Sequence, residues 1–576
     1  MLISSPRPDF LAASGLPERW RGRERFVVLD IGAGATARFD ALRTVWHGDA
    51  QRGERLVVLA LDGPDSADLD GGRVQWMRLQ GKADDPEPAL RGLQAQVDAF
   101  VLDDHAVPTP DLLRRLNRLA APGATLVTPQ TEAAVRDGLA RNGFMVEAAA
   151  TRSTLARFAP RFTLPPPAAF RPPHQGPREA LVIGAGLAGC AAAWALARQG
   201  WTSTVLDRQA SPAQETSGNP GGLMHGTFNA PDSLHARWFR TASLLTARLA
   251  RPAIASGAVA GDLSGFVRLE HRIDAVQAQT QLARVGLPAD YVRWISADEA
   301  RQRTGVPVAS GGWFYAQAGW LSPGDWSRWL LAQAESAGLA QFRGQVAVEA
   351  LRRSSAGGWQ ALDAAGRVMA EAPVVVLANA SAMGGLLAPH AAATAMQPVR
   401  GQTTLLAADT PGLRRPQQAL SGTGYGLTLP DGRVLTGATS QPGDLDGSLR
   451  GSDHLHNLER AAQLGLCPLE MVDRVGLQTD GRVGWRATTQ DRLPLIGPPV
   501  DRKAWDAARQ LGRIRTDALR QLPRCQAAEH GLFVLAGLGS RGITSAALAG
   551  QVLAAWITGA PFPVDAALRD ALDPAR

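Results

Sequence analysis

LVIGAGLAGCAAAWALARQG, residues 181–200, carries an apolar strand-like run, a glycine-rich turn and an alanine-rich helical stretch in immediate succession. Gly184, Gly186 and Gly189 stand at the G-x-G-x-x-G spacing. The first glycine permits the tight turn, the second lets the backbone approach a pyrophosphate, and the third lets helix and strand pack closely. The helix start adds positive partial charge for an anion. A second strand-like run, TSTVLDR, ends in Asp207, 18 residues beyond Gly189. An acid there can bind the ribose hydroxyls of adenosine, which disfavours a 2′-phosphate, and Arg208 follows it directly. The stretch therefore predicts a dinucleotide-binding βαβ unit and, with it, an α/β fold.

Upstream lies PRFTLPPPAAFRPPHQGPRE (160–179), whose prolines exclude both helix and central strand and predict a linker. Before it, RFVVLDIG, RLVVLALD, VDAFVLDD and GATLVTP read as buried parallel strands. FDALRTVW, PDLLRRLNRLA and TEAAVRDGLARNGF read as the helices between them, a second open α/β sheet. The predicted organisation is residues 1–160 as one domain, 161–178 as linker and 179–576 as a second domain.

Downstream, three more glycine-rich turns follow strand-like runs. ETSGNPGGLMHG (215–226) offers Ser217, Gly218, Asn219, Gly221 and Gly222. ANASAMGG (378–385) ends the run PVVVLAN. GLFVLAGLGSRGITSAALAGQVLAAWITG (531–559) offers Gly537, Gly539, Ser540, Arg541, Gly542 and Thr544 at a further strand-to-helix turn. Helix starts at both ends of the domain suit FAD, a long molecule that needs contacts at its pyrophosphate and around its flavin ring.

Composition narrows the class. The chain has 576 residues, 45% hydrophobic and 20% charged, the balance of a soluble multidomain protein. No apolar run is long enough for a membrane span, and MLISSPRPDF lacks the layout of a secretory signal, so a cytoplasmic protein is expected. Cys190, Cys467 and Cys525 are scattered, and the histidines show no ligand spacing, so neither a disulfide framework nor a metal site is expected. The net charge of +7 is nearly all arginine, since Lys82 and Lys503 are the only lysines. A GC-rich genome is the first explanation of that bias; a phosphate-binding surface is compatible with it but not shown by charge alone.

SGNPGGLMHG, GGWFYAQAGWLSP (311–323), QPVRGQ (397–402), GWRATTQDRLPLIG (484–497) and AGLGSRGITSAALA (536–549) occur in that order through the last two-thirds of the chain. Through them, residues from about 178 onward resemble the FAD-dependent oxidases of the glycine oxidase, sarcosine oxidase and D-amino-acid oxidase class. The whole chain resembles the bifunctional tRNA 5-methylaminomethyl-2-thiouridine biosynthesis proteins. That resemblance implies an FAD-binding Rossmann-type domain with an antiparallel-sheet substrate subdomain. It implies tRNA as substrate at the wobble uridine, oxidative removal of the carboxymethyl arm of 5-carboxymethylaminomethyl-2-thiouridine, and O₂ as electron acceptor. Arg486 matches the arginine that holds substrate carboxylates in such oxidases. Arg400 could contact substrate or flavin, Arg541 the flavin or pyrimidine-ring oxygens. Tyr425 either covers the substrate pocket or packs in a strand face, and His225 either approaches the flavin or packs. A free glycine- or sarcosine-type oxidase is the alternative activity.

In the same family the first domain is an S-adenosylmethionine-dependent methyltransferase. FLAASGLPERWRGRERFVVLDIG (10–32) keeps the family's opening. Beyond it the pattern departs: Gly32 and Gly34 remain, but Ala35-Thr36-Ala37-Arg38 replaces the third glycine and its helix start. Asp62 stands where an acid binds ribose, and Asp103 in LDDHAVPTP stands where the family has its catalytic aspartate without the residues around it. The expectation is a truncated methyltransferase-type sheet with a remnant S-adenosylmethionine site; a fully bifunctional enzyme is the alternative.

Overall fold

The computed structural model describes residues 10–576 apart from 64, 80, 82–83, 151–152, 163–173, 175, 392–395, 472–478 and 511–530. Most of the proline-rich span 161–178, with Lys82 and Cys525, thus lies outside the described residues. The chain forms two compact units: residues 1–166 with 559–567, and residues 167–558 with 568–576.

The first unit is built on an eight-stranded sheet. Five parallel strands, Val74–Arg78, Arg55–Ala60, Arg25–Ile31, Val97–Leu102 and Ala120–Thr128, lie side by side in that order. Their runs of valine and leucine are buried throughout Arg55–Ala60 and Val97–Leu102, as strands covered on both faces require. Antiparallel strands finish both edges: Ala67–Leu69 at one, Ser153–Phe158 and Phe144–Ala150 at the other. Val74–Arg78 escaped the sequence reading because its burial alternates, so VQWMR carries no continuous apolar run. Residues 559–567, assigned by sequence to the second domain, join this sheet's periphery, where Phe562 and Ala566 donate their backbone N–H to Gln94 and Gly92.

The second unit contains a six-stranded sheet. Ala340–Arg343, Thr202–Leu206, Glu179–Ile183, Val374–Leu377 and Leu532–Ala536 are parallel, and Leu495–Gly497 closes one edge antiparallel. The helices Leu187–Arg198 and Gly542–Thr558 pack on each other almost wholly buried. Small residues set that contact: a Cβ on Gly550 would stand 2.4 Å from the Ala191 carbonyl oxygen. A separate nine-stranded sheet joins residues between Phe266 and Thr488. It is antiparallel, as expected, except where Phe266–Leu269 pairs parallel with Ala419–Ser421. Among the described residues no helix is long and apolar enough to cross a membrane.

Candidate cofactor and substrate site

The glycine turn behaves as its spacing predicts. Gly184 takes φ +103°, and a Cβ on it would meet the Ala378 backbone at 2.9 Å. Gly189 admits no side chain at all, since a Cβ would lie 1.7 Å from the Gly184 carbonyl oxygen. Asp207 ends its strand and braces the turn: one carboxylate oxygen accepts the Ala185 N–H at 2.6 Å, the other the Gln209 N–H at 2.8 Å. A carboxylate keeps further acceptor sites beyond two such bonds, which leaves capacity for ribose hydroxyls. Arg208 is exposed and spends its guanidinium on Glu215 at 2.8 Å, away from the turn.

The second glycine loop arrives at the same helix start. The Ser217 hydroxyl accepts the Leu187 N–H at 3.1 Å, and a Cβ on Gly186 would meet that hydroxyl at 3.1 Å. Thr216 fastens this loop to strand Asp480–Thr488: its hydroxyl donates to the Trp485 carbonyl at 2.8 Å and accepts the Trp485 N–H at 3.0 Å. A Cβ on Gly218 would collide with the Ala213 carbonyl, and one on Gly221 would press on Leu427. A Cβ on Gly222 would meet Ile543, one residue into helix Gly542–Thr558. That helix begins beside the other, because a Cβ on Gly542 would touch Leu187 at 3.0 Å. Gly537 and Gly539 make the preceding turn with φ of +70° and +56°. Ser540 is exposed, whereas Thr544 is buried and reaches the His225 carbonyl at 3.4 Å.

Arg486 lies on strand Asp480–Thr488, over Gly401 of the neighbouring strand, and donates to the Thr439 carbonyl at 3.0 Å. No carboxylate pairs with it among the described residues. Burial lowers its basicity, and the field it creates opposes the rise of Tyr425, whose hydroxyl burial pushes up to about 12. Tyr425 packs against a hydrophobic cluster that includes Phe266, Tyr291, Tyr315 and Leu427.

Arg400 is a correction. It is fully buried, and every N–H is taken: by the Asp446 and Ser448 carbonyls at 2.6 Å, Gln441 at 2.6 Å, Asp453 at 2.5 Å and Gln402 at 3.3 Å. Alternation along its strand puts it and Gly401 on opposite faces, so it points away from Arg486. It is a structural hub, not a contact for substrate or flavin.

Arg541 is half-buried, sits over the Phe239 ring at 5.1 Å, and reaches the His225 carbonyl at 3.5 Å. Burial lowers its pKa to about 10, and Arg268 and Arg492 add to that while Tyr315 and Tyr291 oppose it. His225 stacks on Phe266, centroids 4.4 Å apart. Burial, then Arg541 and Arg268, hold His225 neutral well below the usual imidazole range, against the bond it makes to the Gly226 carbonyl.

In the first unit the turn at Gly32 and Gly34 is filled from within. Arg38, in the opening turn of helix Ala35–Gly48, forms two 2.6 Å bonds to buried Asp30. Asp103 accepts the N–H groups of Ala33 at 2.6 Å and His105 at 2.9 Å. A Cβ on Gly32 would meet the Asp103 carboxylate at 2.5 Å and the Arg38 guanidinium at 2.6 Å. Gly34 caps the helix without side-chain help, and among the described residues Asp62 bonds only the Gly63 N–H, at 2.8 Å.

The second unit's residues fit a flavin dinucleotide. Two long helices begin close together beside a turn that side chains would block. The side-chain oxygens of Asn219 and Asn379, on the two segments that flank this turn, are buried without partners among the described residues, as acceptors awaiting ligand hydroxyls or N–H would be. The sequence reading found the Asn379 turn but not the residue, and missed Thr216 altogether; only the cross-sheet register reveals its clasp. No cluster suited to a metal occurs among the described residues.

Comparison with known proteins agrees with this geometry. Residues 179–556 match the FAD dependent oxidoreductase family. The tRNA 5-methylaminomethyl-2-thiouridine biosynthesis bifunctional protein MnmC of Methylibium petroleiphilum is 44% identical over 98% of this chain and 92% of its own. That of Ralstonia nicotianae is 36% identical over the same shares. Among solved structures, L-proline dehydrogenase from P. horikoshii is similar with TM-score 0.52 and 17% identity, covering 70% of this chain and 98% of its own. Glycine oxidase from Geobacillus kaustophilus gives TM-score 0.50 and 22% identity over 66% and 94%.

Proposed function

This chain belongs to the FAD dependent oxidoreductase family over residues 179–556 and, along 98% of its length, to the family of tRNA 5-methylaminomethyl-2-thiouridine biosynthesis bifunctional proteins; from that premise we propose that it oxidatively removes the carboxymethyl arm of 5-carboxymethylaminomethyl-2-thiouridine at the tRNA wobble position. It is an enzyme with FAD as cofactor. Bound FAD supplies a two-electron acceptor for the carbon–hydrogen bond beside an amine nitrogen.

The observation that carries the substrate assignment is Arg486, a partly desolvated guanidinium with no carboxylate of its own. A bidentate pair with the arm's carboxylate fixes the adjacent carbon in position as well as neutralising charge. Tyr425, in its field, closes that end of the pocket, and its hydroxyl stays protonated as a hydrogen-bond donor. Water adds to the carbon of the resulting imine; the carbon–nitrogen bond then breaks, releasing the arm as an oxo acid and leaving 5-aminomethyl-2-thiouridine. Dioxygen is the proposed final acceptor, and the cytoplasm the proposed compartment. Anaerobic mixing with arm-bearing tRNA should bleach the flavin, and nucleoside mass spectrometry should find the aminomethyl form. A flavin that bleaches with glycine or sarcosine but not with this tRNA would support the free amino-acid oxidase instead.

For the first unit we infer that S-adenosylmethionine no longer binds. Its sulfonium and ammonium groups need acids, yet Asp30 is spent on Arg38, whose guanidinium occupies the space above Gly32. The Asp30 pair holds Arg38 charged despite its burial, so a ligand cation would meet like charge. Equilibrium dialysis of the full-length protein with labelled S-adenosylmethionine should show no saturable binding; saturation at micromolar ligand would sink the inference.

A further inference from the structure

Arg486 shares its sheet face with a second set of charged groups. Across the strands Val399 pairs with Arg486, Thr403 with Arg482, and Leu405 with both Asp480 and Leu435, so alternation turns all these side chains to one side. The cofactor loop crosses this face between the two arginines, because a Cβ on Gly484 would meet Thr216 at 3.1 Å. Beyond the crossing, a hollow of about 260 Å³ opens against the loop residues Gly218 and Pro220. Its floor is Thr403, Leu405 and Leu435, and its charged groups are Arg433, Arg482 and Asp480. Arg482 is fixed without being neutralised. Its Nη2 donates to the Gln214 and Glu215 carbonyls, the second at 2.9 Å, and among the described residues no carboxylate pairs with it. Arg433 pairs with Asp431 at 2.7 Å, but these side chains are 42% and 51% exposed, and such a pair gives up its carboxylate at little cost. Arg415 adds a cation beside Arg433, since a Cβ on Gly432 would stand 3.4 Å from its guanidinium. Asp480 accepts the Gly481 N–H at 2.7 Å through one oxygen only.

Size and chemistry together select the ligand. The hollow is smaller than the roughly 300–1,000 Å³ pockets of drug-sized ligands, which leaves room for a single nucleotide unit. A bare anion would use the two guanidinium groups and be repelled by Asp480. A ribonucleotide uses the whole lining: its phosphate on Arg433 and Arg482, a hydroxyl donated to Asp480, and an apolar face against Leu405 and Pro220. We propose that the hollow receives one ribonucleotide of the substrate RNA, flanking the wobble uridine. This rests on the reading of the substrate given above and extends it from the arm to the strand that carries it. Arg482 stands four residues from Arg486, about 13 Å along the strand, a span that the next nucleotides of an unstacked RNA strand cover.

The test follows binding of a labelled, unmodified anticodon stem–loop RNA to the FAD-loaded enzyme by fluorescence anisotropy across a salt series. Flavin-to-protein absorbance ratios first show that each variant is folded. Arg433→Gln should raise Kd about tenfold and make the plot of log Kd against log salt shallower by about 0.7, the share of one phosphate contact. Arg367→Gln removes an exposed cation from the hairpin of a different sheet and should leave both close to wild type. The wild type should bind the RNA at least about fivefold more tightly than a counterpart with 2′-deoxy sugars at the flanking positions, and Asp480→Ala should remove most of that preference. With arm-bearing substrates, Arg433→Gln should lower the ratio of kcat/KM for the stem–loop to that for the free nucleoside by about tenfold. The proposal is overturned if Arg433→Gln weakens RNA binding no more than Arg367→Gln does. It is equally overturned if adenosine monophosphate, and not RNA, binds in an Arg433-dependent way. A wild type that binds the stem–loop through Arg433 yet oxidises no arm-bearing substrate defeats the parent reading alone.

Discussion

Two arginines of one motif-rich sheet, 86 positions apart and superficially equivalent in sequence, have opposite lives in the structure. Arg486 has N–H donors that no side chain or carbonyl takes among the described residues, whereas Arg400 has none left. Arg486→Ala should cut kcat/KM for a carboxylate-bearing amine by about 100-fold or more, chiefly through KM, with flavin still bound. Arg486→Lys should recover part of that, because a point charge replaces a fork. Steady-state kinetics with arm-bearing nucleoside would check both, and an unchanged KM would refute the assignment. Arg400→Met should act on stability instead. It leaves Asp453 buried without its cation, a loss of about 3–5 kcal/mol, visible as a lower thermal midpoint. Sequence could place both residues in their motifs. It could not show that Arg400 turns inward, because strand alternation only decides a face once the register with Asp480–Thr488 is known.

At the scale of elements, the βαβ unit was fully legible, since glycine spacing states the backbone geometry directly. Gly189→Ala should prevent flavin incorporation, because the collision is with backbone that cannot move aside. Gly384→Ala, where a Cβ meets nothing within 4 Å, should be neutral or mildly stabilising. Flavin-to-protein absorbance ratios of the purified variants would separate the two. The Thr216 clasp was illegible, because its partner lies 269 residues away and its chemistry is a hydroxyl against backbone, which leaves no pattern in sequence. Thr216→Val should cost about 1–2 kcal/mol and weaken flavin retention, measured by thermal release of the fluorescent cofactor. The strand Val74–Arg78 was missed for a related reason: half-polar strands acquire identity from neighbours.

Across the whole molecule, acid should weaken the second unit selectively. His225, His235, His390 and His454 all lie there, and burial depresses each below the ordinary imidazole value of 6.5. The unfolded chain therefore binds protons that the folded unit refuses, so stability is full above about pH 6.5 and declines as pH falls below it. Thermal release of flavin, followed between pH 7 and pH 5, should move to lower temperature. A midpoint that holds or rises across that window would contradict the burial of these rings. Domain order and the cofactor were readable from sequence at this scale. The return of residues 559–567 to the first unit was not, because nothing in those residues names their partner.

That return has a consequence for how the chain comes into being. Residues near position 90 wait for backbone partners that leave the ribosome more than 460 positions later. The first unit, although first to emerge, cannot be finished until almost everything else has been translated. At about 5–20 residues per second, it spends on the order of half a minute to a minute and a half without those partners. Gene truncations that seem to isolate it at the proline-rich span would make that temporary condition permanent.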